Sequence, residues 1–310
     1  MIKTVSVAPM MDCTDKHENY FLSLISKNIQ LYTEMIVANA IIRGNRDKLL
    51  SFKKISNPIT LQVGGSNPEE LSEACKISED YGYKEINLNL GCPSKKVQKN
   101  KFGACLMQEP DLVAKCIESM SKATKLPVTI KTRIGYNEVE DFEFLKSFIQ
   151  TTKDAGAQKF IIHARKALLK KLSPKENLNI PPLKYEFVYK LKDYFKKDEI
   201  IINGGIKTTE EIKNHLLKVD GVMVGRAIYH SPYLLAKIEK DIFNNENVPS
   251  RTDVMEKLIP YIQEQTLNGV QLNHIMRHTV GLFHGQTGSR IWKQYLSKNM
   301  CIRDADLQKV

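Results

Sequence analysis

The sequence contains no apolar run approaching the ~20 residues needed to span a bilayer, so no membrane-spanning helix is expected. It has no C-x-x-C pair. Its cysteines, Cys13, Cys75, Cys92, Cys105, Cys116 and Cys301, are dispersed, which gives zinc or iron–sulfur ligation no support, and no metal is expected. Residues 1–9 lack the apolar core and small-residue cleavage site of a signal peptide. The cysteines therefore read as reduced thiols, and the expectation is a cytoplasmic enzyme acting as a monomer. A Rossmann glycine fingerprint is absent, as are low-complexity segments and repeats beyond a strand–helix unit.

What is present is a strand pattern. Short runs rich in Val, Ile and Leu occur at Val5–Ala8, Leu31–Thr33, Ile59–Val63, Glu85–Asn89, Val128–Lys131, Lys159–His163, Ile200–Asn203 and Gly221–Val224. Helical spacing lies between most of them, at Pro68–Tyr81, Pro110–Ala123, Val139–Ala155, Leu183–Phe195 and Thr209–Leu217. Asn67 is the expected N-cap of the first of these, with Pro68 at its first helical position. Eight alternations predict an α/β fold, a (β/α)8 TIM barrel over residues 1–243. A doubly wound open sheet is the alternative, but it seldom needs eight repeats. Asn244–Pro249 reads as a polar linker. Beyond it, Asp253–Gln265, Asn273–Phe283 and Ser289–Leu296 predict a small helical domain over 244–310.

The strands close on Pro9 and Met10, Glu34, Gln62, Asn89, Lys131, His163, Asn203 and Gly225. Polar residues commonly cap strands, but a series of them at one end of a barrel points to a pocket. Two glycine signals, Ile202-Asn-Gly-Gly-Ile206 and Val224-Gly-Arg-Ala227, follow strands seven and eight, where barrels often bind phosphate. The backbone N–H groups of Gly204, Gly205 and Gly225 can approach an anion closely, and Arg226 can add a charged fork. The ligand is a sugar phosphate or a flavin mononucleotide. Lys131 and Gln62 favour flavin: an ammonium stabilises the negative charge of a reduced flavin, and an amide suits its pyrimidine edge. Met10 and Met11 offer a soft bed for a flat ring.

Asn87-Leu-Asn-Leu-Gly-Cys-Pro-Ser94 places an amide and a thiol together on a sharp turn. With Ala8-Pro-Met-Met-Asp12, Leu61-Gln-Val-Gly-Gly65, Lys131-Thr-Arg-Ile-Gly135, His163-Ala-Arg-Lys166, Asn203-Gly-Gly-Ile206 and Gly225-Arg-Ala227 it spans the whole barrel. In these stretches the chain resembles the tRNA-dihydrouridine synthases. Ser173-Pro-Lys-Glu-Asn177 with Ile180-Pro-Pro182 resembles their A-type branch, associated with uridines 20 and 20a of the tRNA D-loop.

The resemblance implies FMN held by Pro9, Met10, Met11, Gln62, Lys131, His163, Asn203, Gly204, Gly205, Gly225 and Arg226, with NADPH as reductant. It implies Cys92 as proton donor to C5 of the uracil while hydride goes to C6. It implies Asn89 against the target uracil, and Arg165, Lys175, Arg290 and Lys293 near tRNA. Leu178 departs from the branch, standing where a basic residue is often found. His163 can face flavin, phosphate or base.

Lys and Arg outnumber Asp and Glu by 46 to 35, a formal charge of +11. That suits a polyanion, or is only a soluble lysine-rich surface. Its placement favours RNA: Lys95, Lys96, Lys99 and Lys101 follow the Cys92 turn, and Arg165, Lys166, Lys170, Lys171 and Lys175 follow strand six. Trp292 is expected to anchor the last helix. Two other functions stay open, a flavoenzyme of free pyrimidines and a catalytically inactive tRNA-binding protein.

Overall fold

The structure, a computed structural model, describes residues 3–170 and 172–301. Lys171, one of the loop lysines singled out above, lies outside the described residues. Eight parallel strands form one sheet: β1 (Thr4–Val7), β2 (Leu31–Val37), β3 (Ile59–Gly64), β4 (Glu85–Leu90), β5 (Val128–Arg133), β6 (Lys159–His163), β7 (Glu199–Asn203) and β8 (Gly221–Val224). Neighbours run in the order β1-β8-β7-β6-β5-β4-β3-β2. The circle closes at Gln30, just before β2: Val7 N–H donates to Gln30 O at 2.9 Å and Gln30 N–H to Val5 O at 3.1 Å. The fold is a (β/α)8 barrel with a helical C-terminal part.

Alternation along each strand decides what lies inside. Ile86, Leu88 and Leu90 join the apolar core under the helices, while Glu85, Asn87 and Asn89, also buried, take the opposite face of β4. Ala8, Tyr32, Ile161, Ile201 and Met223 form an apolar cluster of their own, consistent with side chains stacked within the barrel.

Several elements run differently from the sequence expectation. β2 does not stop at Glu34. A bulge between Tyr32 and Met35 lets it continue to Val37, because Thr33 Oγ1 accepts from Gln62 N–H at 3.0 Å and Glu34 N–H donates to Thr14 O at 3.1 Å. β3 runs one residue beyond the expected Val63, with Gly64 paired to Val37, and β4 and β5 pass Asn89 and Lys131 because the ladder continues through polar residues. The expected helix at Val139–Ala155 begins at Phe142, since Asp141 caps it by accepting from Phe144 N–H at 2.8 Å. The one expected at Leu183–Phe195 spans Tyr185–Tyr194. Pro68–Tyr81 divides into an α-helix, Pro68–Ser78, and a 3-10 turn, Glu79–Tyr81.

After the helix Leu234–Phe243 the chain has no regular structure until Arg251–Leu267. That helix starts two residues before the expected Asp253, because Ser250 and Asp253 form a reciprocal capping box. The segment expected as one helix, Asn273–Phe283, is a short α-helix, Leu272–Met276, followed by a 3-10 turn, Arg277–Gly281. The last described helix is Ser289–Asn299. Trp292 Nε1 donates to Thr279 O at 3.1 Å and its ring meets Phe283 edge-on, tying that helix down.

Candidate active site

Strand register brings the polar residues together at one end of the barrel. Gln62 pairs with Asn87, Asn89 with Lys131, Arg133 with His163, and His163 with Asn203. The end of β1 joins them: Ala8 N–H donates to Val224 O at 2.8 Å, and a Cβ placed on Gly225 would stand 3.5 Å from Met10 Sδ. Pro9 and Met10 are half-buried, whereas Met11 is exposed.

An amide ladder orders the interior. Asn89 Nδ2 donates to Gln62 Oε1 at 2.8 Å, Gln62 Nε2 to Asn87 Oδ1 at 2.8 Å, and Asn87 Nδ2 to Thr129 Oγ1 at 2.9 Å. Thr129 Oγ1 then donates to Glu85 Oε1 at 2.7 Å. Glu85 also receives Tyr32 Oη at 3.1 Å and Lys159 Nζ at 2.7 Å. Each donor points toward a carboxylate, so the orientations of Asn87, Gln62 and Asn89 support one another.

Asn89 passes that order to the thiol. Its Oδ1 accepts from Gly91 N–H at 3.1 Å and Cys92 N–H at 3.0 Å, closing an Asx-type turn. Cys92 O accepts from Ala104 N–H at 2.9 Å, and the Ser94 side chain caps the helix Lys95–Lys99. Burial raises the Cys92 thiol; the Ser94 backbone N–H, Arg133 and Lys131 pull it back without cancelling that rise. At neutral pH the group is therefore an SH that can give a proton.

The cations of the site are desolvated. Burial, with Arg133 beside it, lowers Lys131 to about 7 against a partial opposing effect of Cys92. No carboxylate pairs with Lys131 among the described residues. Burial, then the charges of Arg133, Lys131, Arg165 and Arg226, push His163 well below its usual value, so the imidazole is neutral. Its Nδ1 and Arg165 Nε are buried without a partner. Beyond β7, Gly204 and Gly205 hold successive positive φ angles of 125° and 73°, a backbone that favours glycine, and Tyr185 Oη donates to Gly204 O at 2.7 Å.

Not every expected residue reaches the same place. Arg165 is buried, with its guanidinium bound to the carbonyls of Asn179 and Pro181. Arg226 Nη1 donates to Asn179 Oδ1 at 2.9 Å and Nη2 to Leu178 O at 3.2 Å. Lys166 pairs with Glu140 at 3.1 Å. Lys175 is exposed on the loop after β6, and Arg290 and Lys293 are exposed on the helix Ser289–Asn299. Lys95, Lys96, Lys99, Lys101 and Lys170 are exposed as well. Sequence reasoning gave no role to Asn87, Tyr185 or Arg133. Period-two spacing from Asn89 and Lys131 was the available signal for Asn87 and Arg133; Tyr185 had none.

The profile of the Dihydrouridine synthase (Dus) family matches residues 6–309. The chain belongs to the dihydrouridine synthase family. It is 50% identical over 305 residues to a protein named tRNA-dihydrouridine(20/20a) synthase from Synechocystis sp., covering 98% of this chain and 91% of that one. A protein of the same name from Shewanella oneidensis is 48% identical over 309 residues, covering 99% and 92%. One from Pasteurella multocida is 49% identical over 306 residues, covering 98% and 93%. The family indicated by the motifs is thus the family found, and this dihydrouridine synthase is an oxidoreductase. No described helix is long and apolar enough to cross a membrane.

Proposed function

We propose that this dihydrouridine synthase reduces uridine to 5,6-dihydrouridine at positions 20 and 20a of the tRNA D-loop, using FMN and NADPH, in the cytoplasm and as a monomer. The observation that carries this is the acid turn: a protonated thiol, Cys92, oriented by Asn89 at the barrel end where His163 Nδ1 and Arg165 Nε are buried without protein partners. The residues fit a flavin mononucleotide. His163 Nδ1, Arg165 Nε and the amino group of Lys131 require partners, and the backbone at Gly204 and Gly205 suits a phosphate. Met10, Gln62, Lys131, His163, Asn203 and Gly225 would line the ring and its polar edge, with Arg226 toward the phosphate and Pro9 and Met11 at the rim.

When bound and reduced by NADPH, FMN supplies the hydride for uracil C6. Cys92 gives its proton to C5 and recovers one from solvent. Lys131 and Arg133 stabilise the thiolate left between those events, in a site where burial makes each charge count. Asn89 holds the turn and keeps one amide hydrogen for the base. The target uridine must leave the tRNA stack to reach this depth. The exposed lysines after β4 and β6, Lys175 and Lys170 among them, meet the phosphates. Residues 244–310 act as the helical tRNA-binding domain, with Arg290 and Lys293 on its outer face.

The deciding experiment supplies protein, FMN and NADPH to an unmodified tRNA transcript and maps dihydrouridine by position. Product at 20 or 20a is expected, slowed ~10²–10⁴-fold by Cys92→Ala. Wild-type turnover in that variant would refute the role of Cys92. A yellow protein that reduces free uracil but not tRNA would refute the substrate.

A further inference from the structure

Arg133 sits at the end of β5, two residues beyond Lys131 and on the same face. It is 3% exposed, and it has no ion-pair partner among the described residues. Its guanidinium is spent on backbone carbonyls instead. Nε donates to Gly91 O at 2.8 Å, while Nη1 donates to Lys166 O at 3.0 Å and Asn177 O at 3.2 Å. Gly91 adjoins Cys92. Lys166 and Asn177 mark the two ends of the loop after β6 that bears Lys170 and Lys175.

That loop is ordered from within. Asn177 is fully buried: its Oδ1 accepts from Leu168 N–H at 2.7 Å, and its Nδ2 donates to Leu168 O, Leu172 O and Ser173 O at 3.1–3.2 Å. A second tie runs parallel to Arg133, with Gln98 Nε2 donating to Pro93 O and Leu169 O at 2.8 Å each. Burying an arginine without a countercharge costs free energy that hydrogen bonds to neutral carbonyls offset only in part.

We propose that Arg133 is a positioning residue that locks the Cys92 turn to the loop after β6 and supplies the fixed positive charge facing the Cys92 thiolate. The inference rests on the reading of Cys92 as the acid. A planar fork reaches carbonyls on separate loops at once, whereas a lysine ammonium on its single stem cannot reproduce that geometry. The other groups facing the thiol are Lys131 on β5 and Cys105 on the 3-10 turn Gly103–Gln108. His163, on β6, is neutral. Arg133 and Lys131 are thus the cations whose charge the thiolate meets.

The test uses the purified full-length protein without tRNA or NADPH, and compares wild type with Arg133→Met and Arg133→Lys. Iodoacetamide alkylation of Cys92 is followed by mass spectrometry across pH, and trypsin cleavage after Lys170 and Lys175 is timed in parallel. In Arg133→Met the alkylation midpoint is expected to rise by about one pH unit, and cleavage to accelerate severalfold. In Arg133→Lys the midpoint stays near wild type while cleavage still accelerates. An Arg133→Met protein with native circular dichroism and an unmoved midpoint overturns the charge role. Unchanged cleavage in both variants overturns the lock. Should Arg133→Met fail to fold, the midpoint is read in Arg133→Gln, which also removes the charge, and the cleavage rate of Arg133→Lys decides the lock. Normal turnover by Cys92→Ala would sink the reading of Cys92 as acid without touching either result.

Discussion

Gly103 shows how little freedom the residues around the thiol have. Its φ is 76°, and a Cβ there would lie 2.7 Å from Cys92 O and 2.5 Å from Val97 Cγ1. Gly103→Ala should therefore cost about 1–2 kcal/mol from the left-handed backbone alone and shift the Cys92 turn. A lower melting temperature with a disproportionate fall in kcat would show both effects. Lys131 sets a second expectation. With its pKa lowered to about 7 by burial, an increasing share of empty sites holds a neutral amine above that pH. If the charged form binds the flavin, FMN affinity falls as pH rises through 7, approaching tenfold per unit. Titration of FMN fluorescence between pH 6 and 9 measures it, and a flat profile would detach Lys131 from the cofactor. The residue types themselves were legible: Cys92, Lys131 and His163 stand in distinctive stretches. Their protonation was not, because it depends on burial and on neighbours far away in sequence.

At the scale of the element, β4 does most of the organising. Glu85, Asn87 and Asn89 face the interior and form, with Gln62 and Thr129, the ladder that ends at Lys159. Glu85→Ala removes the carboxylate that Lys159 meets at 2.7 Å, leaving it Glu199 at 3.5 Å. Breaking a buried pair in this way costs about 3 kcal/mol, so chemical denaturation should show a loss of that order. A loss below ~1 kcal/mol would mean that Glu199 moves in to replace it. The ladder explains why strand ends were misjudged. Polar residues stop a hydrophobic count, but inside a barrel they pair with polar residues on adjacent strands, so β4 and β5 run on. β2 passes Glu34 for a related reason, the bulge bonded to β3.

Across the whole molecule, the helical part docks on the barrel through titratable groups. Tyr261 stacks on Tyr20 with centroids 3.9 Å apart, and its Oη lies 2.7 Å from His17 Nδ1. Asp15 meets Arg277 at 2.6 Å and His278 at 3.0 Å. Burial opposes ionisation of Asp15, but the hydrogen bond and charge of His278 prevail and hold it far below the carboxylate range. Burial lowers His17 to about 4, with Asp15 opposing in part. Because the unfolded chain takes up that proton near pH 6.5, this stability is complete above 6.5 and is lost as pH falls toward 4. His17→Gln should flatten the fall of melting temperature between pH 7 and 4.5; an unchanged slope would assign the acid sensitivity elsewhere. The basic rim makes a further expectation. Replacing Lys95, Lys96 and Lys99 with Ala should weaken tRNA binding and reduce its salt slope by up to ~0.7–0.9 for each phosphate that is no longer neutralised. An unaltered slope would place the tRNA elsewhere on the surface.

The sequence by itself determined the barrel and the turn that carries the thiol. Both follow from short-range rules: alternating strand and helix periods, and an Asn-Leu-Gly-Cys-Pro run whose amide closes on its own backbone. Helix boundaries were less legible where a cap decides them, as at Asp141 and Ser250. What only the tertiary structure decided is which polar groups meet. Arg165 read as a contact for tRNA and Arg226 as a ligand for phosphate; the fold buries Arg165 and lets both hydrogen-bond the loop around Asn179. Asn177, which ends a stretch shared with the A-type branch but was given no role, is the buried centre of the loop after β6. Arg133 links that loop to the turn at Gly91, 42 residues before Arg133 itself. Such pairings depend on register and closure around the barrel, which bring distant carbonyls within reach of one guanidinium, and no local pattern encodes that distance.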